Sequence, residues 1–256
     1  MSADWLGRAA SLSTDFHEAR PFPLLVMDGF LTEDAARGLE SEFPCIEDMP
    51  KSRDYVFGNK HELSSVEQAG IYGRAFHQAV TSPGFADFLK VVTGWDLLVD
   101  PSFHGGGFHQ GGDGSFLDMH VDFNVHPLHS GWLRTLNILI YLNPKWDDAW
   151  GGDLLVKAAL DEAPRSIAPK FNRGVLMLTS DHTYHGYRRM NLPADVTRKS
   201  LATYAYRVIE GEAVRARTTG WVPEEAGMAK RLLARHYDRL VRLKNRILGS
   251  STARNR

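Results

Sequence analysis

Seven of the eleven histidines fall between His104 and His185, and the tightest local pattern among them is His120-Val121-Asp122. In an extended strand residues i and i+2 point to one face, so this imidazole and this carboxylate can grip a single ion. A His-x-Asp pair is short enough to arise by chance. A second copy, His236-Tyr237-Asp238, falls in a stretch of helical periodicity, where i and i+2 do not face each other, and is set aside. Residues further along the chain raise the first copy above chance. His185-Gly186 comes after the apolar run Val175 to Thr179 and a short turn, and Arg198-Lys199-Ser200 then opens the alternating segment Leu201 to Tyr206. Two histidines and one carboxylate on one face of an octahedron leave three positions open, an arrangement that suits non-haem Fe(II). Such an iron needs a co-substrate that delivers two electrons. An α-keto acid could fill two positions and leave the third for O₂. Its far carboxylate would need a fixed cation, and Arg198 with a hydroxyl two residues on at Ser200 offers a fork and one further donor.

Each of these residues has competitors. His182 also lies near the end of the apolar strand, but in an extended chain it points away from the face of His185. Arg189 is an alternative to Arg198 for the far carboxylate; Arg198 is preferred because it begins the alternating strand. His104, His109, His126 and His129 read as loop or surface histidines. The run from His104 to Gly114 is rich in glycine but fits neither a phosphate loop nor a dinucleotide turn, since no helix comes after it. It reads as a flexible hairpin or lid beside the metal. Trp132 and Trp146 read as core or rim aromatics.

The elements that must carry these groups fall into two textures. Pro23 to Asp28 reads as a strand, and Thr32 caps a helix carrying Ala35, Ala36, Leu39 and Phe43. Ser64-Ser65-Val66-Glu67 resembles a capping box opening one helix towards Ser82-Pro83, with another helix from Gly84 to Val92. From about Asp96 short β-rich runs take over: Trp95 to Phe103, Phe116 to Val125, Leu133 to Leu142, Asp153 to Lys157, Val175 to Thr179 and Ser200 to Ile209. Their spacing suggests a sandwich or barrel, and helices followed by strands suggest an α+β fold with helices packed on the sheets. Glu224 to Leu248 carries Ala229, Leu233, Tyr237, Leu240, Lys244 and Ile247 at helical spacing. Nine Lys or Arg against three Asp or Glu between Glu224 and Arg256 make that segment basic. It reads as a surface helix docked by its apolar stripe, with a membrane surface or an acidic partner as the other reading. The division is a domain over residues 1–222 and a basic amphipathic helix and tail over 223–256.

Taken in order, His120-x-Asp122, His185 and Arg198-x-Ser200 resemble the 2-oxoglutarate and Fe(II)-dependent dioxygenases. The stretch Arg134 to Asn143 (RTLNILIYLN), followed by Trp146 and Gly151-Gly152, resembles the prolyl-4-hydroxylase-like branch, as does the opening Leu25 to Leu31. The resemblance spans roughly residues 22 to 210. It implies a double-stranded β-helix, a jelly roll with supporting N-terminal helices and a C-terminal helix. It also implies Fe(II) on His120, Asp122 and His185, with 2-oxoglutarate and O₂ as co-substrates. Tyr141 would add a hydroxyl contact to the far carboxylate, beside Arg198 and Ser200. Asn137 would lie at the co-substrate site, and Arg134 and Leu139 on the substrate side. The carboxylate of Asp122 argues against halogenating relatives, which replace it with a small residue. Thirteen positions separate His185 from Arg198, more than in many relatives, and the intervening loop could lengthen the pocket rim.

Composition bounds the rest. The chain has 256 residues, 43% hydrophobic and 24% charged, a globular balance with room for a large core. A formal charge of -1 argues against a general nucleic-acid binder, and the single Cys45 against a disulfide framework. No apolar run reaches the ~20 residues of a membrane span, and the start Met1-Ser2-Ala3-Asp4-Trp5 lacks a signal-peptide pattern. The expectation is a cytoplasmic enzyme hydroxylating an unactivated C–H bond of a small molecule such as an amino acid or biosynthetic intermediate. A peptidyl-prolyl or other protein side chain is the alternative substrate. A zinc hydrolase or a metal-free jelly-roll binding module are the readings from other classes; zinc would not need Arg198-x-Ser200 and more often uses three histidines or two with glutamate.

Overall fold

A computed structural model describes residue 5 and residues 7–51, 56–210, 214–223 and 226–248. The chain begins with α1 (Ala9–Glu18), β1 (Leu24–Asp28) and α2 (Glu33–Ser41). Then come β2 (His61–Leu63), α3 (Val66–Ala69), α4 (Ile71–Val80), α5 (Pro83–Thr93) and the two-residue β3 (Leu98–Val99). The strands β4 (Gly107–Gly111), β5 (Leu117–Val121), β6 (Trp132–Tyr141), β7 (Leu154–Lys157) and β8 (Arg165–Ile167) are next. After these run β9 (Arg173–Leu178), β10 (Tyr184–Tyr187), β11 (Arg198–Val208), β12 (Gly220–Val222) and α6 (Met228–Leu248).

Local chemistry explains several of these boundaries. The Thr32 side chain accepts from the Ala35 amide and starts α2, as its spacing predicts. Ser82 does the same for Phe85, with Pro83 in the first turn of α5, and left-handed Gly94 ends that helix. The single helix expected from Ser64 to Ser82 is two, broken at Gly70, and Ser65 makes no side-chain cap. Helix α1, which the patterning did not mark, buries Ala9, Leu12 and Phe16 along one side. The strand expected over Trp95 to Phe103 shrinks to β3, and β5 ends at Val121, just before Asp122. The expected start of the last helix at Glu224 lies outside the described residues.

Two antiparallel sheets form the core. The larger runs β1-β9-β6-β11-β4-β2, with β3 also on β11; the smaller runs β12-β5-β10-β7-β8. From β4 onward the chain alternates between them, with β7 and β8 sharing the small sheet, which makes a double-stranded β-helix. The helices cover the outer face of the large sheet. Phe16, Leu39, Phe76, Phe88, Leu89 and Val92 pack there against Leu136, Ile138, Ile140, Leu176, Leu201 and Ala205. Each fully buried side chain of this kind contributes roughly 1.5–3 kcal/mol. The alternate residues of β6 and β11 therefore face the small sheet, and the site lies between the sheets.

The glycine-rich run is not a lid. Its second half is β4, a strand buried at every position and paired to β2 and β11. Gly107 is in the left-handed region at φ 98°, and a Cβ there would strike the Leu63 carbonyl, so the glycines serve close strand approach.

Candidate metal centre and co-substrate pocket

His120 sits near the end of β5 and His185 on β10, directly opposite one another in the antiparallel ladder, with ring centroids 4.2 Å apart. Asp122 lies one residue beyond β5 and turns its carboxylate between them. Oδ1 lies 3.6 Å from His120 Nε2 and Oδ2 lies 3.4 Å from His185 Nε2. One donor atom from each residue falls within 4.8 Å of the other two, and among the described residues this is the group of three His, Cys, Asp or Glu with the geometry to hold a metal ion. His182, the competitor, is exposed, whereas His185 is buried.

The far side of each ring sets its tautomer. His120 Nδ1 donates to the Asp118 carbonyl at 2.9 Å and His185 Nδ1 to the Thr183 carbonyl at 3.3 Å. Both Nε2 lone pairs are thereby left facing Asp122. Burial and the adjoining His120 ring push the His185 pKa down to about 3, so the imidazole is a neutral donor. Gly186 allows the close pairing: a Cβ there would lie 2.5 Å from the Leu117 carbonyl of β5. Trp221 of β12 packs its ring against His120 at 4.8 Å.

Asp122 is held ionised. Burial alone would raise its pKa, but Arg134, His185 and His120 together keep it well below the usual carboxylate range. Arg134 Nη2 lies 2.9 Å from Oδ2, and Asn137 Nδ2 donates to the same oxygen at 2.7 Å. Arg134 Nε also donates to Asn137 Oδ1, which accepts from the Thr179 hydroxyl. The guanidinium lies against the Tyr204 ring at 3.3 Å and the Phe123 ring at 4.6 Å. Arg134 and Asn137 have opposite strand parity, yet both reach Asp122. The register of β6 on β11 slips here, with Leu136 opposite Ala205 but Arg134 opposite Tyr206, and this bulge re-aims Arg134 inwards.

On the other side of the pocket Arg198 opens β11, its Nε donating to the Gly152 carbonyl at 2.7 Å and its Nη2 to the Tyr141 hydroxyl at 3.3 Å. Its guanidinium lies over the rings of Tyr187 and Tyr141. Ser200 pairs with Tyr141 across the ladder. Burial keeps the Tyr141 pKa above its ordinary value, so the hydroxyl accepts from Arg198 and still has a proton to donate. Arg189 is outside this pocket: it donates to the Gly114 carbonyl and covers Phe116. Leu139 lines the space between the two clusters.

Sequence reasoning missed Lys60 and misjudged His109. Both line the pocket, and His109 is buried on β4 rather than on a loop. His126 is also buried and pairs with Asp100 at 3.2 Å, away from the pocket. The sequence carried no signal for His109, whose place opposite Ser200 comes from the ladder register. For Lys60, in the loop before β2, there was none either.

The donor set fits a divalent iron: two imidazole nitrogens, whose rings turn their Nδ1 protons to backbone carbonyls, and one carboxylate that stays ionised in a dry site. Residues 106–206 match the family model of the 2OG-Fe(II) oxygenase superfamily. The fold is similar to a prolyl-4-hydroxylase from Pseudomonas putida, with TM-score 0.55 and 18% identity over 79% of this chain and 100% of that one. A prolyl hydroxylase from Trichoplax adhaerens, solved with a hypoxia inducible factor oxygen degradation domain peptide fragment, gives 0.56 and 14% over 80% and 94%. A prolyl 4-hydroxylase from Phytophthora capsici gives 0.55 and 18% over 80% and 65%. No curated protein matches the chain. Residues 106–206 are thus a 2OG-Fe(II) oxygenase domain, and its solved relatives are prolyl-4-hydroxylase-like. The protein is an oxidoreductase of the dioxygenase type, and the family uses Fe(II), 2-oxoglutarate and O₂. Among the described residues no helix is long and apolar enough to cross a membrane.

Proposed function

We propose that the chain hydroxylates an unactivated C–H bond of a small molecule, with His120, Asp122 and His185 holding Fe(II). Arg198, Tyr141 and Ser200 take the far carboxylate of 2-oxoglutarate. When bound, Fe(II) supplies the redox chemistry that couples decarboxylation of 2-oxoglutarate to succinate with transfer of oxygen to the substrate. The observation that carries this reading is the convergence, in one pocket, of two free Nε2 donors and an ionised carboxylate with a buried Arg–Tyr pair.

The chain's own groups have separable tasks. The Asp118 and Thr183 carbonyls orient the two imidazoles. Arg134 and Asn137, expected on the substrate and co-substrate sides, hold the Asp122 carboxylate ionised and fixed. Arg198 neutralises the co-substrate's far carboxylate while the Tyr141 hydroxyl donates a hydrogen bond to it. Leu139 and Leu154 close the space between, keeping water from the reacting atoms.

A small substrate is supported by a pocket whose walls carry several polar groups, among them half-buried Lys60 and buried His109. A prolyl side chain within a peptide is the second reading, favoured by the activity named for the three structural relatives. In this reading residues 1–222 form the dioxygenase domain. Residues 223–256 are an appended basic segment, whose helix α6 docks through Lys230 on Asp118 and Tyr237 on Phe57.

The test is to add Fe(II) and then 2-oxoglutarate to the protein without oxygen and record the visible spectrum. A weak charge-transfer band that needs both additions, and is lost in Asp122→Ala and weakened in Arg198→Ala, is expected. Succinate release against panels of amino acids and of proline peptides then separates the two substrate readings. Metal bound without such a band would refute the co-substrate assignment.

A further inference from the structure

Helix α6 holds seven Lys or Arg against a single Asp, and they are not spread evenly around it. Lys230, Leu233, Ala234, Tyr237 and Val241 share one side by spacing and are half-buried. From that side Lys230 meets Asp118 and Tyr237 meets Phe57. Arg231, Arg235, Arg239, Arg242 and Arg246 recur at steps of four, four, three and four, so the helix sets them in one row on the opposite side. From Arg231 to Arg246 the row runs about 22 Å at a rise of 1.5 Å per residue. Arg231, Arg235 and Arg239 are exposed. Met228 and Leu232 head the same side and are 89% and 59% exposed.

A helix docked on a core ordinarily spends its large apolar side chains on the docked side and mixes both signs of charge outside. Here two large apolar side chains stand outside among arginines. Like charges four apart repel along a helix, a cost that an anionic surface laid against the row would reverse. We infer that this side of α6 lies on the surface of an anionic phospholipid bilayer, with the arginines on lipid phosphates and carboxylates and Met228 and Leu232 between the headgroups. A guanidinium forks the oxygens of a phosphate or carboxylate in pairs. A straight helix presents the whole row to a plane at once, and mobile headgroups gather at each cation without a shaped cleft. The two apolar side chains select the bilayer over a nucleic acid, whose phosphates leave them in water. They select it over an acidic protein too, which would have to match acids and an apolar cleft to one convex helix side in register. The attachment is peripheral, since among the described residues no helix is long and apolar enough to cross a membrane.

The experiment spins the full-length protein down with vesicles of phosphatidylcholine alone or of phosphatidylcholine mixed with phosphatidylserine. The mixed vesicles should carry the protein down saturably and the neutral ones should not, and added salt should weaken the binding by screening. Each basic group at an anionic surface is worth roughly fivefold in affinity, so Arg235→Gln/Arg239→Gln should bind about 25-fold more weakly. Its melting temperature should not move, because both side chains are exposed. Met228→Ser/Leu232→Ser should also weaken binding to the mixed vesicles, with the charge unaltered. Arg37→Gln/Lys90→Gln removes the same charge from exposed positions on α2 and α5 and should bind as the parent does. No sedimentation with the mixed vesicles, equal sedimentation with neutral ones, or equal losses in the two charge variants would overturn the inference. Binding that ignores Met228→Ser/Leu232→Ser would overturn it as well. So would soluble polyglutamate or duplex DNA held as tightly as the vesicles, which would move the row to an acidic protein or a nucleic acid.

Discussion

Arg134→Met tests whether a buried cation is what keeps the metal carboxylate ionised. The Arg134 side chain is 2% exposed and that of Asp122 10%, so neither charge is relieved by water when the other is removed. Breaking such a pair by removing one partner costs about 3–5 kcal/mol. For a chain of this size each kcal/mol moves the melting temperature by about 2–4 °C, so metal-free protein should melt about 6–20 °C lower. Methionine keeps much of the apolar contact with Tyr204 and Phe123, which confines the loss to charge and hydrogen bonds. Loss of a group that orients a metal ligand typically weakens metal affinity 10–100-fold. Stabilisation by saturating Fe(II) should therefore shrink by about 1.4–2.7 kcal/mol relative to the parent. The assay is a pair of anaerobic thermal melts, one with chelator and one with Fe(II). In the Asp122→Asn background, where there is no buried anion, Arg134→Met should cost much less. A chelated variant that melts within about 2 °C of the parent, or equal costs in both backgrounds, would refute the assignment.

The geometry sets three further outcomes. Arg198→Ala should weaken 2-oxoglutarate binding about 10–100-fold, read from the anaerobic band, with Fe(II) affinity unchanged. Gly186→Ala should force β10 away from β5 and lower metal affinity without touching a ligand, measured by metal titration; an unchanged affinity would show that the close pairing is dispensable. The third outcome concerns pH. His109 has a folded pKa of about 3, below its unfolded value near 6.5. Its penalty is absent above the unfolded value and grows as pH falls from there towards 3, because the unfolded chain takes up the proton first. Denaturant titrations should show stability falling by up to about 1.4 kcal/mol per pH unit across that window from this ring, and His109→Phe should flatten the slope.

The metal group was legible because its signal is local: two residues of one strand face, then a histidine followed by the glycine that lets its strand come close. Arg198 was legible as the first residue of an alternating strand, and the structure separates it from Arg189 by placing the latter outside the pocket. Arg134 was singled out, but its role could not be read. Its parity points it to the helix-covered face, and only the bulge opposite Ala205 and Tyr206 turns it to Asp122. The glycines of β4 were misread as freedom of motion, whereas they let neighbouring backbones touch. Lys60 was invisible because the sheet brings it to His109 from far away in sequence, and nothing near it repeats.

The pairing of His120 with His185 has a consequence for how the protein senses its own loading. The two residues come from distant parts of the chain and meet only when β5 and β10 are zipped together, so an ion on both acts as a clasp across that seam. In the unfolded chain the ligands are scattered and the clasp has nothing to close. An ion that binds only the zipped form adds its binding free energy to the fold. Resistance to heat or protease should then rise and fall with iron supply, so that an unloaded molecule is also one that is easier to degrade.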